Sequence, residues 1–358
     1  MVSTTISQQL KATPSQPGVY LLKDAQGEVL YVGKAASLRH RLQSYFGSPS
    51  NLETKIRQLV TRVRDFEFIV TESEAEALIL ENTFIKSRRP KYNARLKDDK
   101  TYPYLKIGLN EEFPQVYITR RVANDGARYF GPYASAGSVR KTMDLLKKLF
   151  PYRSCTRDIT GNDARPCLEH FINRCVAPCI GAASKDEYHK VIDQVVMFME
   201  GRTEPVVRDL QDKMEDAADR LEFERASLLR DQLRAIKRVT EGQKVVSPAE
   251  EDQDVIALAR GRDEAWAEVF FVRRGKLIGR EHFIMGGVQD DEPTRVLTDF
   301  VKQYYGSVPQ VPPRLLLQHP LEDADIIRQW LEQRRGKKVE LRVPKRGEKR
   351  KLVEMVAE

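Results

Sequence analysis

The stretch PGVYLLKDAQGEVLYVGKAASLRHRL, residues 17–42, constrains the fold more than any other part of the chain. Two short runs rich in β-branched and aromatic residues, 19–22 and 29–32, flank the polar segment Asp24–Gly27. Apolar runs separated by turn-forming residues predict two adjacent antiparallel strands. Taken alone, such a hairpin is typical of strands whose tyrosines pack into a hydrophobic core.

A helix is predicted directly after this hairpin, because Ser37 can cap it and helical spacing continues to about Phe46. One face of this helix holds Leu38, Leu42 and Tyr45. The following pattern predicts a helix over 52–62, a strand over 65–70 and a helix from a capping box at 71–74 to about Lys86. Pro90 prevents that last helix from continuing. These elements predict a compact α+β domain.

The rest of the chain changes pattern twice. The predicted elements are strands at 102–107 and 115–120, helices at 138–149, 186–200 and 204–239, strands at 254–260, 265–272, 276–285 and 315–318, and helices at 294–304 and 322–334. We therefore expect an α+β multidomain protein. Its predicted parts are domains over 1–100, 101–200 and 201–240, a linker over 241–253 and an α/β region over 254–358.

Charge and hydropathy narrow the function classes. Lys and Arg outnumber Asp and Glu by 60 to 52, which weakly favours an acidic partner such as nucleic acid. The polar N-terminus does not resemble a signal peptide, and no apolar run approaches the roughly 20 residues that span a bilayer. We expect a cytoplasmic protein that does not contact membranes.

Seven tyrosine, basic, carboxylate and amide side chains of the first domain are candidates for a functional site. They are Tyr20, Tyr31, Lys34, Arg41, Tyr45, Glu81 and Asn93. Because the two strands are adjacent and antiparallel, the hydroxyls of Tyr20 and Tyr31 can reach one face. Glu81 lies within the apolar helical run ALILENTFI, where a carboxylate is costly to bury unless it is paired or bound to metal.

This ordered set resembles the GIY-YIG nuclease family. The matching residues are Gly18-Val-Tyr20, Tyr31-Val-Gly33, Arg41, Glu81 and Asn93. Both tripeptides have Val where the family name has Ile, which is a conservative change. The resemblance implies a small antiparallel sheet flanked by helices and a nuclease that hydrolyses phosphodiester bonds.

The resemblance assigns roles to the charged and amide groups. Glu81 would hold one Mg²⁺ (or Mn²⁺) and Arg41 would contact non-bridging phosphate oxygens. Asn93 would orient Glu81 or a phosphate. Asp98 and Asp99 invite a second metal, but consecutive side chains of an extended chain point apart, so we expect a solvated turn there.

The tyrosines are the candidates for the general base. An unperturbed tyrosine has a pKa of about 10, too high for a base at neutral pH. A neighbouring cation lowers it, and Lys34 and the metal are the expected cations. We expect Tyr20 or Tyr31 to activate the water, directly or through Lys34, and we count Tyr45 among the catalytic candidates. The sequence leaves open which tyrosine is the base.

All four cysteines lie in one short segment, at Cys155, Cys167, Cys175 and Cys179. In a cytoplasmic protein such a cluster favours a metal or cofactor over disulfides. Only the last pair has the spacing usual for zinc ligands, so zinc, an iron–sulfur cluster and no metal all remain open. Four thiolates already complete a tetrahedral set, so we expect His170 near the surface or beside the ligands.

Following a GIY-YIG-like domain, this segment resembles the cysteine-rich region of the UvrC family of bacterial nucleotide-excision repair. The resemblance implies a [4Fe–4S] cluster of structural role, with zinc as the alternative. The region 214–233 has apolar residues at helical spacing with Phe223 near a turn, and it resembles the UVR motif. A solvent-facing helix pair is the simple interpretation. The resemblance implies binding to UvrB, with Phe223 central.

The resemblance to the UvrC family covers essentially the whole chain. It implies incision of a damaged DNA duplex on the 3′ side of a lesion by a one-metal mechanism. Family members continue into an RNase H-like nuclease half, and residues 254–358 resemble its beginning. We therefore expect a truncated chain without 5′ incision. The alternatives are a stand-alone 3′-incising homologue and a non-catalytic DNA-binding scaffold that recruits UvrB.

Overall fold

The computed structural model describes residues 4–46, 53–97, 102–123, 125–133, 135–242, 252–261 and 263–358. Most of the predicted linker and the pair Asp98–Asp99 fall outside these ranges. The chain forms two compact units, which are described separately. The first contains residues 1–99, 253–269 and 282–358, and the second contains 100–252 and 270–281.

The N-terminal part of the first unit is a small sheet with flanking helices. Its elements are α1 Thr4–Ala12, β1 Gly18–Lys23, β2 Val29–Ala35, α2 Leu38–Phe46, α3 Thr54–Arg62, β3 Asp65–Val70, α4 Glu74–Arg88 and β4 Arg95–Leu96. The first three strands form an antiparallel sheet in the order β2-β1-β3. The predicted hairpin, strand and helices are confirmed, whereas α1 and β4 were not predicted.

Central strand β1 is buried on both faces, which explains its nearly continuous apolar sequence. On one face Tyr20 and Leu22 pack with α2 and α3 through residues such as Leu38 and Leu59. On the other face Val19 and its neighbours pack against α4. Each fully buried aliphatic side chain contributes about 1.5–3 kcal/mol, so this double packing fixes the register of β1.

The second unit is mainly helical. Its principal elements are β5 Tyr104–Ile107, β6 Val116–Thr119, β7 Arg128–Phe130, α5 Ala136–Leu149, α6 Leu168–Phe171, α7 Lys185–Met199, α8 Thr203–Asp219 and α9 Phe223–Gly242. The strands form an antiparallel sheet in the order β6-β5-β7. One core joins this sheet to α5, α7, α8 and α9. The predicted helical hairpin is α8 and α9.

The C-terminal part is an α/β arrangement, as predicted. Its elements are β8 Gln253–Arg260, β9 Glu264–Arg273, β10 Lys276–Gly286, α10 Pro293–Ser307, β11 Arg314–Leu317, α11 Ala324–Arg335, β12 Glu340–Arg342 and α12 Glu348–Ala357. The mixed sheet has the order β12-β11-β8-β9-β10-β4, so β4 of the N-terminal part completes its edge. Among the described helices, none is long and apolar enough to cross a membrane.

Candidate active site

Three tyrosines form a buried cluster on one face of the small sheet. In the hairpin register Tyr20 lies opposite Gly33 and Leu22 opposite Tyr31, so both tyrosines share a face, as predicted. The Tyr20 and Tyr45 hydroxyls are 2.9 Å apart and hydrogen-bonded. The ring centroids of Tyr20 and Tyr31 are 6.1 Å apart. Burial, with the neighbouring tyrosines, raises the pKa of Tyr20 and of Tyr31 well above the ordinary value.

Neighbouring atoms approach the backbone so closely at Gly18 and Gly33 that only glycine fits at these two positions. A Cβ atom added at Gly33 would lie 2.3 Å from the Tyr20 hydroxyl oxygen. A Cβ atom at Gly18 would lie 2.2 Å from the carbonyl oxygen of Ile69 on the neighbouring strand. The glycine of the second tripeptide thus leaves room for the tyrosine of the first, which links the two motifs physically.

Arg41 projects from α2 onto the tyrosine cluster. Its Nε donates a hydrogen bond to the Tyr20 hydroxyl at 3.3 Å. Its guanidinium carbon lies 5.2 Å from the centroid of the Tyr45 ring. This positive charge lowers the pKa of Tyr20, but burial has the larger and opposite effect.

Glu81 is buried on α4, and both of its carboxylate oxygens have partners. The backbone N–H of Lys34 donates to Oε1 at 3.1 Å. The ammonium of Lys302, on α10, lies 2.9 Å from Oε2. The predicted pairing of this buried carboxylate is therefore present, and its partner lies 221 residues away in the sequence.

Two predicted site residues make contacts that differ from expectation. The Lys34 ammonium pairs with Asp323 at 2.5 Å, so only the backbone of Lys34 contacts Glu81. The Asn93 amide bonds to both backbone groups of Val32, accepting at 2.9 Å and donating at 2.7 Å. Asn93 therefore fixes strand β2 beside Tyr31 rather than bonding to Glu81.

One face of α10 contributes residues that the sequence interpretation missed. Nη2 of Arg295 donates to the Tyr31 hydroxyl at 3.0 Å. Asp299 Oδ1 lies 3.0 Å from the Lys302 ammonium. Arg295, Asp299 and Lys302 stand at helical spacing on α10, which is a sequence signal for one charged face but does not identify its partners.

These side chains surround a cavity of about 760 Å³ within the first unit. Its lining includes Tyr20, Tyr31, Lys34, Arg41, Glu81, Asn93, Arg295, Asp299, Lys302, Glu322 and Asp323. Among the described residues, no group of three or more His, Cys, Asp or Glu side chains is arranged to hold a metal. The donor set fits a cation held by one carboxylate and otherwise by water, which is the usual habit of Mg²⁺.

The four cysteines occupy one region of the second unit. Cys175 and Cys179 are buried, whereas Cys167 is exposed. Burial raises the pKa of the Cys175 thiol, and the nearby Cys167 and Cys155 act in the same direction. The Nδ1 atom of His170 lies 3.1 Å from the carbonyl oxygen of Cys175, so this histidine packs beside the segment.

The helical hairpin ends in an exposed apolar tip. Leu221 and Phe223 are 71% and 67% exposed, at the turn between α8 and α9. Farther along, Val206 and Leu210 on α8 pack with Leu233 on α9 in the core of the second unit. The tip is therefore held on a rigid base and leaves a large aromatic side chain in solvent.

A three-stranded sheet with a tyrosine cluster, an arginine and a buried glutamate defines a domain of the GIY-YIG class. Family models match in order along the chain: the UvrC-like GIY-YIG domain over 16–94, the UvrC/Cho excinuclease middle domain over 102–198, the UvrB/uvrC motif over 206–239 and the UvrC ribonuclease H-like domain over 252–358. The chain belongs to the UvrC family.

Two related proteins align with this chain along nearly its whole length. It is 50% identical over 354 residues to UvrABC system protein C of Acetivibrio thermocellus, covering 98% of this chain and 57% of that relative. It is 48% identical over 358 residues to the same protein of Dehalococcoides mccartyi, covering 100% of this chain and 59% of that relative. The chain therefore spans less than two thirds of these relatives.

A solved structure is similar to the N-terminal part. It is the GIY-YIG N-terminal endonuclease domain of UvrC from Thermotoga maritima, bound to magnesium as its catalytic divalent cation. The identity is 37%, the match covers 25% of this chain and 98% of that structure, and the TM-score is 0.23.

Proposed function

We propose that the chain is the endodeoxyribonuclease part of a bacterial nucleotide-excision repair subunit. It hydrolyses the phosphodiester on the 3′ side of a lesion in a complex of UvrB with damaged duplex DNA. The carrying observation is the cavity in which the tyrosine cluster, Arg41 and buried Glu81 converge. The proposal includes the domain boundaries predicted from the sequence, DNA as the substrate and a cytoplasmic location.

The catalytic roles follow from the contacts of each side chain. Glu81 is the residue that would hold Mg²⁺ (or Mn²⁺), which supplies positive charge against the phosphate oxygens when bound. Arg41, which lines the same cavity, offers a planar set of N–H donors to the non-bridging oxygens of the phosphate. Asn93 and the backbone of Lys34 keep strand β2 and Glu81 in fixed relative positions.

The proton of the attacking water passes to a tyrosine of the cluster. Burial favours the protonated phenols of Tyr20 and Tyr31, so the tyrosine that acts as the base must first release its own proton to solvent, and positive charge at its oxygen favours that ionisation. Arg41 supplies that charge to Tyr20 and Arg295 supplies it to Tyr31. Single-turnover incision by Tyr20→Phe and by Tyr31→Phe tests which tyrosine is the base. The tyrosine whose substitution lowers the rate more is the base.

The test of the proposal is a nicking assay on damaged duplex DNA loaded with UvrB. We expect nicks on the 3′ side of the lesion in Mg²⁺, and Glu81→Ala should abolish them while leaving the chain folded. Nicking without UvrB would instead support a stand-alone nuclease. Recruitment of UvrB without any nick by the unaltered chain would support a scaffold and would contradict the proposed activity.

We further propose a structural [4Fe–4S] cluster bound by Cys155, Cys167, Cys175 and Cys179. The proposal is supported by the chemistry of the donor set, because all four cysteines of the chain lie between positions 155 and 179 and none of them forms a disulfide. Anaerobic purification should yield iron and acid-labile sulfide that are lost on substitution of Cys175. Stoichiometric zinc without iron would contradict the cluster and favour the alternative metal.

The third part of the proposal concerns UvrB. The hairpin of α8 and α9 would pack against a similar helical hairpin of UvrB, with Phe223 inserted between them. Support comes from the exposed tip, because a large apolar side chain held in solvent on a rigid base is typical of an interaction surface.

A further inference from the structure

The carboxylate proposed to bind the metal already has a cation against it. The Lys302 ammonium lies 2.9 Å from Oε2 of Glu81, and the side chains are only 9% and 7% exposed. The other oxygen, Oε1, accepts the backbone N–H of Lys34 at 3.1 Å. Oε2 is therefore the oxygen through which Glu81 faces a positive charge.

A cation that binds Glu81 must compete for this oxygen. Two positive charges a few ångströms apart repel strongly where water is largely excluded. A buried carboxylate also cannot remain without a counter-charge at low cost. One positive group at a time can therefore satisfy Oε2, either the ammonium or the metal.

The second partner of Lys302 makes the exchange feasible. Asp299, one helical turn earlier on α10, has its Oδ1 atom 3.0 Å from the same ammonium. When the metal takes Oε2, Lys302 keeps a carboxylate partner and is not left as an unpaired buried charge. Asp299 is itself only 16% exposed, so its ion pair with Lys302 is little screened by water.

We propose that Lys302 is a built-in counter-ion of Glu81 that sets the affinity of the site for Mg²⁺. The inference rests on the proposed role of Glu81 as the metal ligand. The ammonium neutralises the carboxylate before the metal binds, and Mg²⁺ binds by displacing it toward Asp299. Lys302 thus acts on metal binding through Glu81, and the α/β region contributes it to the proposed nuclease site.

The test is calorimetric titration of the 358-residue chain with MgCl₂, without DNA. Lys302→Met removes the competing charge, and we expect a dissociation constant for Mg²⁺ at least about tenfold lower, the scale on which residues beside a metal ligand change affinity. Lys302→Arg keeps the charge and should bind Mg²⁺ as the unaltered chain does. Lys97→Met, which breaks an exposed ion pair with Glu264 in the same unit, is the matched control.

Circular dichroism in EDTA checks that each variant is folded. If Lys302→Met does not fold, Lys302→Gln replaces it, because its amide can still donate to both carboxylates without a charge. Unchanged or weaker Mg²⁺ binding by the folded neutral variant overturns the inference. Glu81→Gln tests separately whether Glu81 is the metal ligand. If this variant binds Mg²⁺ normally, the proposed metal site is wrong, whereas loss of binding supports Glu81 as the ligand whatever the result for Lys302.

Discussion

At the scale of single residues, the tyrosine hydroxyl of one motif occupies the space that the glycine of the other leaves free. Gly33→Ala would place a methyl group 2.3 Å from the Tyr20 hydroxyl, inside a packed core. We expect a loss of about 1–3 kcal/mol in the free energy of unfolding. Urea denaturation measures it. Gly137→Ala, in helix α5, meets nothing closer than 3.5 Å and should be neutral or stabilising.

The buried tyrosines also predict a pH dependence of stability. The folded chain keeps Tyr20 and Tyr31 protonated above the pH, about 10, at which an unfolded tyrosine ionises. The unfolded state then binds fewer protons than the folded state, so stability falls as pH rises above that value. Thermal unfolding as a function of pH should show a shallower alkaline decline in Tyr20→Phe/Tyr31→Phe. Tyr117→Phe, a partly exposed tyrosine, is the matched control, and an equal effect there would refute this origin.

Much of the site at this scale could be predicted from the sequence, because Tyr20, Tyr31 and Arg41 lie within one hairpin and the helix that follows it. Local periodicity is enough to bring these three side chains together. The contacts of Glu81 with Lys302 and of Tyr31 with Arg295 join residues more than 220 positions apart. A helix pattern indicates that one face of α10 is buried, but it holds no information about what covers that face.

At the scale of elements, the hairpin of α8 and α9 separates a role in stability from a role in binding. Phe223 is 67% exposed, so Phe223→Ala should change the free energy of unfolding by no more than about 0.5 kcal/mol. Under the proposed contact with UvrB, the same change should weaken UvrB binding by roughly tenfold or more, because central aromatic side chains dominate interface energies. Binding is measured by surface plasmon resonance with purified UvrB.

The control for the hairpin is another exposed phenylalanine of the same unit. Phe171 on α6 is 69% exposed and lies outside the hairpin. Phe171→Ala should leave UvrB binding unchanged. Equal loss in both variants would mean that the interface is not confined to the hairpin tip.

At the scale of the whole molecule, the N-terminal part and most of the α/β part belong to one compact unit, whereas residues 270–281 of β9 and β10 belong to the other. Strand β4, at residues 95–96, pairs with β10 and so extends the α/β sheet. The sequence did not predict this, because two residues are too few to show a period. The result is that the chain segment that precedes the second unit in the sequence and the segment that follows it are joined by strand pairing as well as by side chains.

A buried ion pair tests this joining. Lys55 pairs with Asp291 at 2.5 Å, and the aspartate side chain is only 1% exposed. Lys55→Met leaves that carboxylate buried with its nearest ammonium removed, which costs about 3–5 kcal/mol for pairs of this kind. We expect the free energy of unfolding of the first unit to fall by this amount, so its denaturant midpoint should also fall. Near-ultraviolet circular dichroism of the tyrosine cluster monitors the transition.

The exposed pair of Lys97 with Glu264 joins the same two segments and provides the comparison. Because water screens exposed charges, Lys97→Met should cost less than about 1 kcal/mol. If the two parts folded independently, neither substitution would move the tyrosine signal. A large shift for Lys55→Met and a small one for Lys97→Met would show that burial, rather than the number of ion pairs, couples the candidate active site to the α/β region that supplies Arg295 and Lys302.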